Sequence, residues 1–229
     1  MLKMINGKPL VTYVYDKCLQ GKYFNKVIVA TCDNLIKKKV EEAGGEAVLT
    51  SHSHKGCISR IAEAVNKNKE IKFNDYICIV QGDEVLVDNK ILNSLCKFIN
   101  KNYKNINVIN VLSKIKDHDE YESLSVIKAI IGKHKNIIHM ARSLIIHNIK
   151  KFNKTISKNI FRQTGIIALK KKELIRYYNL KRTFFEKKES IDMLRFLEND
   201  IKIKSFLISK TMIGIDTEKD YTNFINKKK

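Results

Sequence analysis

Short apolar runs alternate with amphipathic segments along the first half of the chain. The apolar runs are continuous, which is typical of strands that are buried on both faces of a sheet. They predict strands at 27–31, 47–50 and 76–80, and helical spacing of apolar residues predicts helices at 9–19, 33–43 and 59–68. Asp33 is expected to cap the second helix, and Gly44 to end it. Strands that alternate with helices in this order predict an α/β fold with a mostly parallel sheet.

The pattern is looser after about residue 105. It predicts strands at 108–112, 125–131, 137–146, 166–169 and 203–208, and helices at 171–178, 186–198 and 216–225. Residues 120–165 are expected to form a small β arm that contributes to dimerisation. Because no linker or repeat divides the sequence, a single domain over residues 1–229 is the simplest organisation.

The composition is that of a globular protein, with 44% hydrophobic and 30% charged residues. No apolar run reaches the roughly 18 residues that a membrane span needs, so no membrane association is expected. The first residues lack the apolar stretch of a signal peptide, so a cytoplasmic location is expected. The five cysteines form no CxxC pair, which argues against a zinc site or a disulfide framework.

A formal net charge of +20 raises the hypothesis of nucleic-acid binding. The positive charge is mostly lysine and is spread along the sequence, without an aromatic-rich basic stripe. A solvated basic surface is therefore favoured over a nucleic-acid interface. Such a surface still attracts an anionic substrate such as a nucleoside triphosphate.

Two aspartates follow predicted strands and are candidates for chemistry. Asp83 comes after a strand and Gly82, and Asp216 opens a predicted helix. Ligands of parallel sheets bind beyond the carboxyl ends of the strands, where two carboxylates can hold Mg²⁺ together with substrate phosphates. The alternatives are structural: Asp216 as a helix cap, and Asp83 as a turn residue.

Several motifs resemble, in the same order, those of the 3-deoxy-manno-octulosonate cytidylyltransferases. Residues 80–84 (VQGDE) are similar to their VQGDEP motif, and residues 214–220 (GIDTEKD) to their GVDTPEDL segment. The resemblance implies a Rossmann-like sheet of the nucleotide-diphospho-sugar transferase type. It also implies that Asp83 and Asp216 are catalytic and bind magnesium, and that Gln81 and Gly82 contact the nucleotide.

The resemblance extends to the nucleotide loop and to the sugar site. His54 and Arg60 match positions in and after the family's nucleotide-contacting loop, although His54 could instead only order this loop. Residues near the sugar are implied by four further matches: Arg142, Gln163, Glu186 and Glu189. Arg142 suits a carboxylated sugar, with a surface ion pair as the alternative. The two glutamates lie one helical turn apart and could equally be solvated.

The sequence departs from the family pattern at two places. Residues 56–59 read GCIS where the family has S-G-T followed by an acidic residue, so the loop contacts to the nucleotide are expected to differ. Aligned on residues 7–9 (GKP), Met1 falls after the family's first strand and its nucleotide loop, so this chain is expected to lack both.

The activity that the resemblance implies is the transfer of CMP from CTP to 3-deoxy-manno-octulosonate or a related sugar acid, with release of pyrophosphate, by a homodimer. Two alternatives remain open at this point. One is a cytidylyltransferase for another acceptor, such as an acylneuraminate or an amino-sugar acid. The other is a truncated, inactive paralogue that acts as a binding partner.

Overall fold

A mixed sheet of six strands, covered by helices on both faces, forms the centre of the chain. The structure is a computed structural model that describes residues 1–146, 158–212, 214–215 and 218–226. The strands are β1 (Met4–Ile5), β2 (Lys8–Pro9), β3 (Val29–Thr31), β4 (Ala47–Leu49), β5 (Tyr76–Val80), β6 (Val108–Ser113), β7 (Lys128–Ile131), β8 (Ile137–Ala141), β9 (Ile160–Lys170) and β10 (Lys204–Ile208). The helices are α1 (Leu10–Leu19), α2 (Asn34–Glu42), α3 (Cys57–Lys67), α4 (Asn89–Asn102), α5 (His118–Glu122), α6 (Lys171–Asn179), α7 (Phe184–Glu189), α8 (Leu194–Leu197) and α9 (Glu218–Asn226).

The long strand β9 organises this sheet. Along one edge of β9, β5 pairs with residues 166–170 and β7 with residues 160–162; β6 lies along the other edge. All three pairings are antiparallel, whereas β10 pairs with β6 in parallel. Consequently β5, β6, β7 and β10 run in one direction, and β8 and β9 run in the other. The predicted α/β fold is confirmed.

Alternate residues of the central strands enter two separate hydrophobic clusters. Val108 and Leu112 of β6 pack on one face with α3 and α6, whereas Ile109 and Val111 pack on the other with α1, α4 and α9. This alternation follows from the two-residue period of a strand. Both faces of the sheet are therefore buried, as the continuous apolar runs predict.

The predicted elements between residues 27 and 50 are confirmed. β3 and β4 pair in parallel as a separate two-stranded sheet, and α2 contacts both of them. Asp33 caps α2, because its Oδ1 accepts hydrogen bonds from the backbone of Leu35 (2.7 Å) and Ile36 (3.2 Å). Gly44 follows the helix with a φ of +77°, a conformation that glycine adopts without strain.

The single helix predicted over 186–198 is wrong. α7 ends at Glu189; the next residue, Ser190, has left-handed backbone angles (φ 53°, ψ 45°), and α8 begins only at Leu194. The backbone N–H of Glu186 donates to the Glu198 carboxylate at 3.1 Å. In one continuous helix these residues would be about 18 Å apart, so this contact requires the chain to turn back.

Other differences concern length and number of elements. β9 begins six residues before the predicted strand at 166–169, while β7 and β8 are shorter than their predicted runs. The sequence interpretation also omitted α4, although its buried residues Ile91, Leu95 and Ile99 recur at helical spacing. Strands β7 and β8, which fall in the predicted arm, are continuous with the six-stranded sheet. Among the described residues, no helix has both the length and the apolar character needed to cross a membrane.

Candidate active site

A cavity of about 450 Å³ lies where β5 ends and β7 begins, alongside the middle of β9. Its walls come from the loop before α3, the turn after β5, the segment before β7, β9 itself, and the turn between α7 and α8. The polar and charged residues that line it are Lys55, Gln81, Asp83, Glu84, Ser125, Arg142, Arg162, Gln163, Thr164, Ser190 and Asp192. The cavity therefore collects both charge signs at one edge of the sheet.

The floor of the cavity is the stretch of β9 that neither β5 nor β7 covers. The N–H of Gln163 donates to the carbonyl of Ile127 (2.9 Å), and the N–H of Gln81 donates to the carbonyl of Gly165 (2.9 Å). The N–H of Gly165 donates to the Oε1 of buried Glu84 at 2.5 Å. A Cβ at position 165 would lie only 2.8 Å from Gln81 and 2.9 Å from Glu84, so this close approach requires glycine.

Asp83 lies in the turn that follows β5 and lines the cavity, as the sequence predicts. Its carbonyl accepts a hydrogen bond from the N–H of Ile215 at 3.1 Å, and Gly214 also lines the cavity. The segment that leads to residue 216 therefore reaches the Asp83 turn. Asp216 itself lies outside the described residues. Within the described ranges, no three His, Cys, Asp or Glu side chains cluster as metal ligands.

Arg142 lines the opposite wall and is held by backbone carbonyls. Its Nε donates to the carbonyl of Glu189 (2.9 Å), and its Nη1 donates to the carbonyls of Leu124 and Ser125 (both 3.2 Å). Its own N–H donates to the Glu189 carboxylate at 2.8 Å. Among the described residues, the Arg142 Nη2 makes no hydrogen bond. The guanidinium is thus fixed at the cavity with one nitrogen available.

Two glutamines supply amide groups to the site. The Nε2 of Gln81 lies 3.4 Å from the Cys57 thiol, whose pKa burial raises well above its usual value. The Oε1 of Gln163 is buried and accepts no hydrogen bond from the described part of the chain. Because a buried acceptor without a donor is costly, a hydroxyl group in the cavity would satisfy it.

Three predicted nucleotide-binding residues do not line the cavity. His54 pairs with Glu63 at 2.5 Å, and Arg60 donates to the Thr50 hydroxyl at 2.9 Å. Both side chains tie the loop 50–54 to α3, which corresponds to the loop-ordering alternative for His54. The Met1 side chain packs against Gly82, where a Cβ would meet its sulfur at 2.7 Å.

The Glu63 carboxylate is the centre of this loop anchor. It accepts hydrogen bonds from Lys67 (2.7 Å), from the backbone N–H of Ser51 (2.9 Å) and from His54. These bonds, with that of Lys67 the largest contribution, lower the pKa of Glu63 to about 2. The loop before α3 is therefore held by a carboxylate that stays ionised over a wide pH range.

Neither predicted glutamate lines the cavity directly. Glu186 is 1% exposed and accepts two hydrogen bonds from the guanidinium of buried Arg195. Arg195 also stacks on the Tyr177 ring, with its guanidinium carbon 3.9 Å from the ring centroid. Glu189 contacts Arg142, which lines the cavity, through both its carboxylate and its backbone carbonyl. The structure thus brings Gln81, Asp83, Arg142 and Gln163 together and leaves Glu186 in the core.

Asp192 was missed by the sequence interpretation, which placed it inside a helix. It follows the turn at Ser190, lines the cavity, and accepts a hydrogen bond from the N–H of Ile58 at 3.1 Å. The carboxylate therefore caps α3 from a distant part of the chain, and Gly56 permits its approach because a Cβ there would overlap it. A polar residue between apolar neighbours inside a predicted helix was the available signal.

The chain is similar to known proteins over most of its length. Residues 1–203 match the family described as Cytidylyltransferase. A 3-deoxy-manno-octulosonate cytidylyltransferase of Fusobacterium nucleatum is 33% identical over 98% of this chain and 88% of its own length. One of the same name from Thermodesulfovibrio yellowstonii is 32% identical over 96% and 88%, respectively.

The fold is also similar to solved structures. A structure of CMP:2-keto-3-deoxy-manno-octonic acid synthetase complexed with CTP superposes with a TM-score of 0.84 over 100% of this chain and 92% of its own, at 24% identity. A putative glucose-1-phosphate thymidylyltransferase from Bacillus anthracis gives a TM-score of 0.64 at 13% identity, over 97% of this chain and 83% of its own. Since the family match spans most of the sequence, this chain belongs to the cytidylyltransferase family of nucleotidyltransferases.

Proposed function

We propose that this chain transfers CMP from CTP to 3-deoxy-manno-octulosonate and releases pyrophosphate. The observation that carries the proposal is the cavity that joins Asp83 and Gln81, at the end of β5, to Arg142 and Gln163 on the opposite side. The names of the curated relatives support this acceptor. A reaction that consumes CTP belongs in the cytoplasm, where we place it.

In the proposed reaction, the anomeric hydroxyl oxygen of the sugar attacks the α-phosphorus of CTP. A new phosphorus–oxygen bond forms, the bond from the α-phosphorus to the bridging oxygen breaks, and pyrophosphate leaves while the hydroxyl proton passes to solvent. The contribution of the protein is to align the reactants and to stabilise the developing charge.

Each wall of the cavity has a role in this alignment. The Arg142 guanidinium, with its available Nη2, binds the carboxylate of the sugar acid. The buried Oε1 of Gln163 accepts a hydrogen bond from a sugar hydroxyl. Gln81 and Gly82 border the nucleotide, while His54 and Arg60 hold the adjacent loop in place.

We infer that Asp83 and Asp216 hold a Mg²⁺ ion. Asp83 lies at the cavity, and the N–H of Ile215, directly before Asp216 in the sequence, donates to the Asp83 carbonyl. A pair of carboxylates fits this ion, because Mg²⁺ is usually held by one or two carboxylates together with substrate phosphates. When bound, the ion neutralises phosphate charge in the transition state.

The test is release of pyrophosphate from CTP with 3-deoxy-manno-octulosonate, an acylneuraminate and an amino-sugar acid as separate acceptors. We expect release with the first acceptor, and a loss of at least about 100-fold in the Asp83→Asn variant. Asp88→Asn is the matched control, because Asp88 caps α4 and pairs with Lys210, and it does not line the cavity. If pyrophosphate is released with another acceptor only, that acceptor is the substrate in place of 3-deoxy-manno-octulosonate. If folded protein releases no pyrophosphate with any acceptor, the inactive paralogue is favoured.

We also propose that the chain forms a homodimer through the region 120–165. Three large apolar side chains of this region are exposed: Leu124 by 67%, Ile138 by 62% and Ile146 by 44%. Exposed apolar side chains that share one region are typical of an interaction surface. Light scattering should give twice the chain mass of 26.6 kDa, and Ile138→Lys should return it to the monomer mass; a monomeric wild type would refute the proposal.

A further inference from the structure

Lys128 is a fully buried lysine that has no acidic partner in the described part of the chain. It lies at the start of β7 and is 0% exposed. Its Nζ donates to two backbone carbonyls, those of Ser123 (2.7 Å) and Arg142, and it forms no ion pair within the described ranges. Burying an ammonium group without a carboxylate is costly, so a purely structural role would be better served by an apolar side chain.

The two carbonyls belong to two different walls of the cavity. Ser123 begins the segment whose next residues, Ser125 to Ile127, line one wall. Arg142 follows β8 and lines the neighbouring wall. The ammonium group of Lys128 therefore joins both walls. It holds the carbonyl of Arg142, while the Glu189 carboxylate holds the N–H of the same residue.

The charges around Lys128 do not balance. Arg142 and Glu189 are the charged groups that act on it from the end of β8 and from α7. Its register partner on β9 is Arg162, which is already paired with Glu120 of α5 at 2.5 Å. One carboxylate, Glu189, thus faces two cations, Lys128 and Arg142. This corner of the cavity has an excess of positive charge, which suits an anionic ligand.

We propose that Lys128 is a positioning residue for the carboxylate of the sugar acid: it fixes Arg142 at the cavity and supplies the second positive charge of this subsite. The proposal rests on the proposed function, in which Arg142 binds that carboxylate. Lys128 acts through Arg142 and through its charge, since it does not line the cavity itself.

The charge of Lys128 is sensitive to pH. Burial, and then the positive charge of Arg142, lower the pKa of Lys128 to about 8, while Glu189 opposes this shift. The ammonium is therefore expected to lose its proton when the pH rises above about 8. Sugar-acid affinity should fall over the same range, and CTP affinity should not, because the effect is confined to one wall.

The experiment measures the dissociation constant of 3-deoxy-manno-octulosonate by calorimetry at about pH 7 and about pH 9.5, for wild type, Lys128→Arg and Lys128→Met. In the wild type we expect at least about tenfold weaker binding at the higher pH, the effect of losing one unit charge within about 12 Å at an effective dielectric constant of about 20. Lys128→Arg should bind equally at both pH values, because arginine stays protonated. Lys128→Met should bind weakly at both. Lys133→Met, which removes an exposed lysine between β7 and β8, is the matched control.

The outcomes separate this proposal from the proposed function. An equal pH effect in wild type and Lys128→Arg overturns the role of Lys128 and leaves the pyrophosphate assay untouched. Binding that follows the expected pattern without pyrophosphate release supports Lys128 and refutes the activity. If the thermal transition shows that Lys128→Met does not fold, the comparison of the pH effect in wild type and in Lys128→Arg decides the role of Lys128. Absence of sugar-acid binding to the folded wild type overturns the role of Lys128, and the pyrophosphate assay then decides the activity separately.

Discussion

The Glu186 carboxylate and the Arg195 guanidinium form a buried, two-bond ion pair. The Nε and Nη2 atoms of Arg195 lie 2.7 and 2.6 Å from the two carboxylate oxygens. Arg182 and the backbone N–H of Thr183 bond to the same carboxylate, at 3.1 and 3.2 Å. Burial raises the pKa of Glu186, and the hydrogen bonds of Arg195 and Arg182 more than offset this effect, so that the pKa lies below its ordinary value.

Glu186→Gln should destabilise the protein by about 3–5 kcal/mol, because it leaves the Arg195 charge buried without a carboxylate. Urea unfolding followed by circular dichroism measures this loss. Glu41→Gln is the control, since it breaks the surface pair with Lys37 and should cost less than about 1 kcal/mol. An equal decrease in the free energy of unfolding in the two variants would show that the buried ion pair of Glu186 stabilises the protein no more than a surface pair does.

Gly165→Ala should disturb the cavity floor. The new methyl group would lie 2.8 Å from Gln81 and 2.9 Å from Glu84, and overpacking of this kind costs about 1–3 kcal/mol. We also expect weaker CTP binding, because Gln81 and the neighbouring Asp83 turn must shift. Calorimetry with CTP and urea unfolding measure the two effects.

The control for this change is Gly132→Ala, in the turn between β7 and β8. There the nearest atom to a new methyl group is the Cγ2 of the exposed Ile138 side chain, at 3.2 Å. It should leave CTP affinity unchanged. Unaltered CTP binding in Gly165→Ala would mean that the floor of the cavity does not support the nucleotide.

Stability should fall in acid partly through Glu63. The folded-state pKa of about 2 lies below the ordinary value of 4.5, so the stabilisation by Glu63 is complete above pH 4.5 and is lost as the pH falls toward 2. Near neutral pH, Glu63→Gln should be less stable than wild type by about 1 kcal/mol, since the pair is partly exposed. The difference in thermal midpoint should shrink between about pH 5 and about pH 3. A constant difference, matching that of exposed Glu70→Gln, would contradict the anchor role.

Asp192→Ala should remove the cap of α3 and cost about 1 kcal/mol. Asp33→Ala, which removes the cap of α2, should cost a similar amount. Of these two variants, we expect Asp192→Ala alone to change the affinity for the sugar acid, because Asp192 lines the cavity and Asp33 does not. Unfolding curves and calorimetry on both variants check this difference, and identical binding in the two would reduce Asp192 to a structural cap.

Local features of the fold could be predicted from the sequence. The apolar runs that form β3, β4 and β5 predict these strands, and Asp33 and Gly44 carry the chemistry of helix ends. The position of Asp83 at the cavity could also be predicted from the sequence, because a residue just beyond a buried strand lies at the edge of its sheet.

Long-range relationships could not be predicted. The apolar run around Ile166 does not reveal that β9 enters antiparallel between β5 and β6, since strand partners are chosen by packing across the whole sheet. Glu186 has the sequence context of a surface helix, and its burial depends on Arg195, which approaches only because the chain turns at Ser190. The burial of Lys128 could not be predicted from the sequence, because a lysine within an apolar run is also compatible with an exposed position on an edge strand.

The hydrogen bonds that occupy the backbone of β9 on the floor of the cavity determine which kinds of ligand can bind at this edge of the strand. The backbone groups of β9 between β5 and β7 are occupied by Ile127, Gln81 and Glu84, so no incoming peptide can extend the sheet there. Recognition is left to side chains such as Arg142, Gln163 and Asp192. Acceptor preference can therefore be altered by exchanging these side chains while the hydrogen-bonding pattern of the scaffold stays intact, which makes this site a practical starting point for redesign toward other sugar acids.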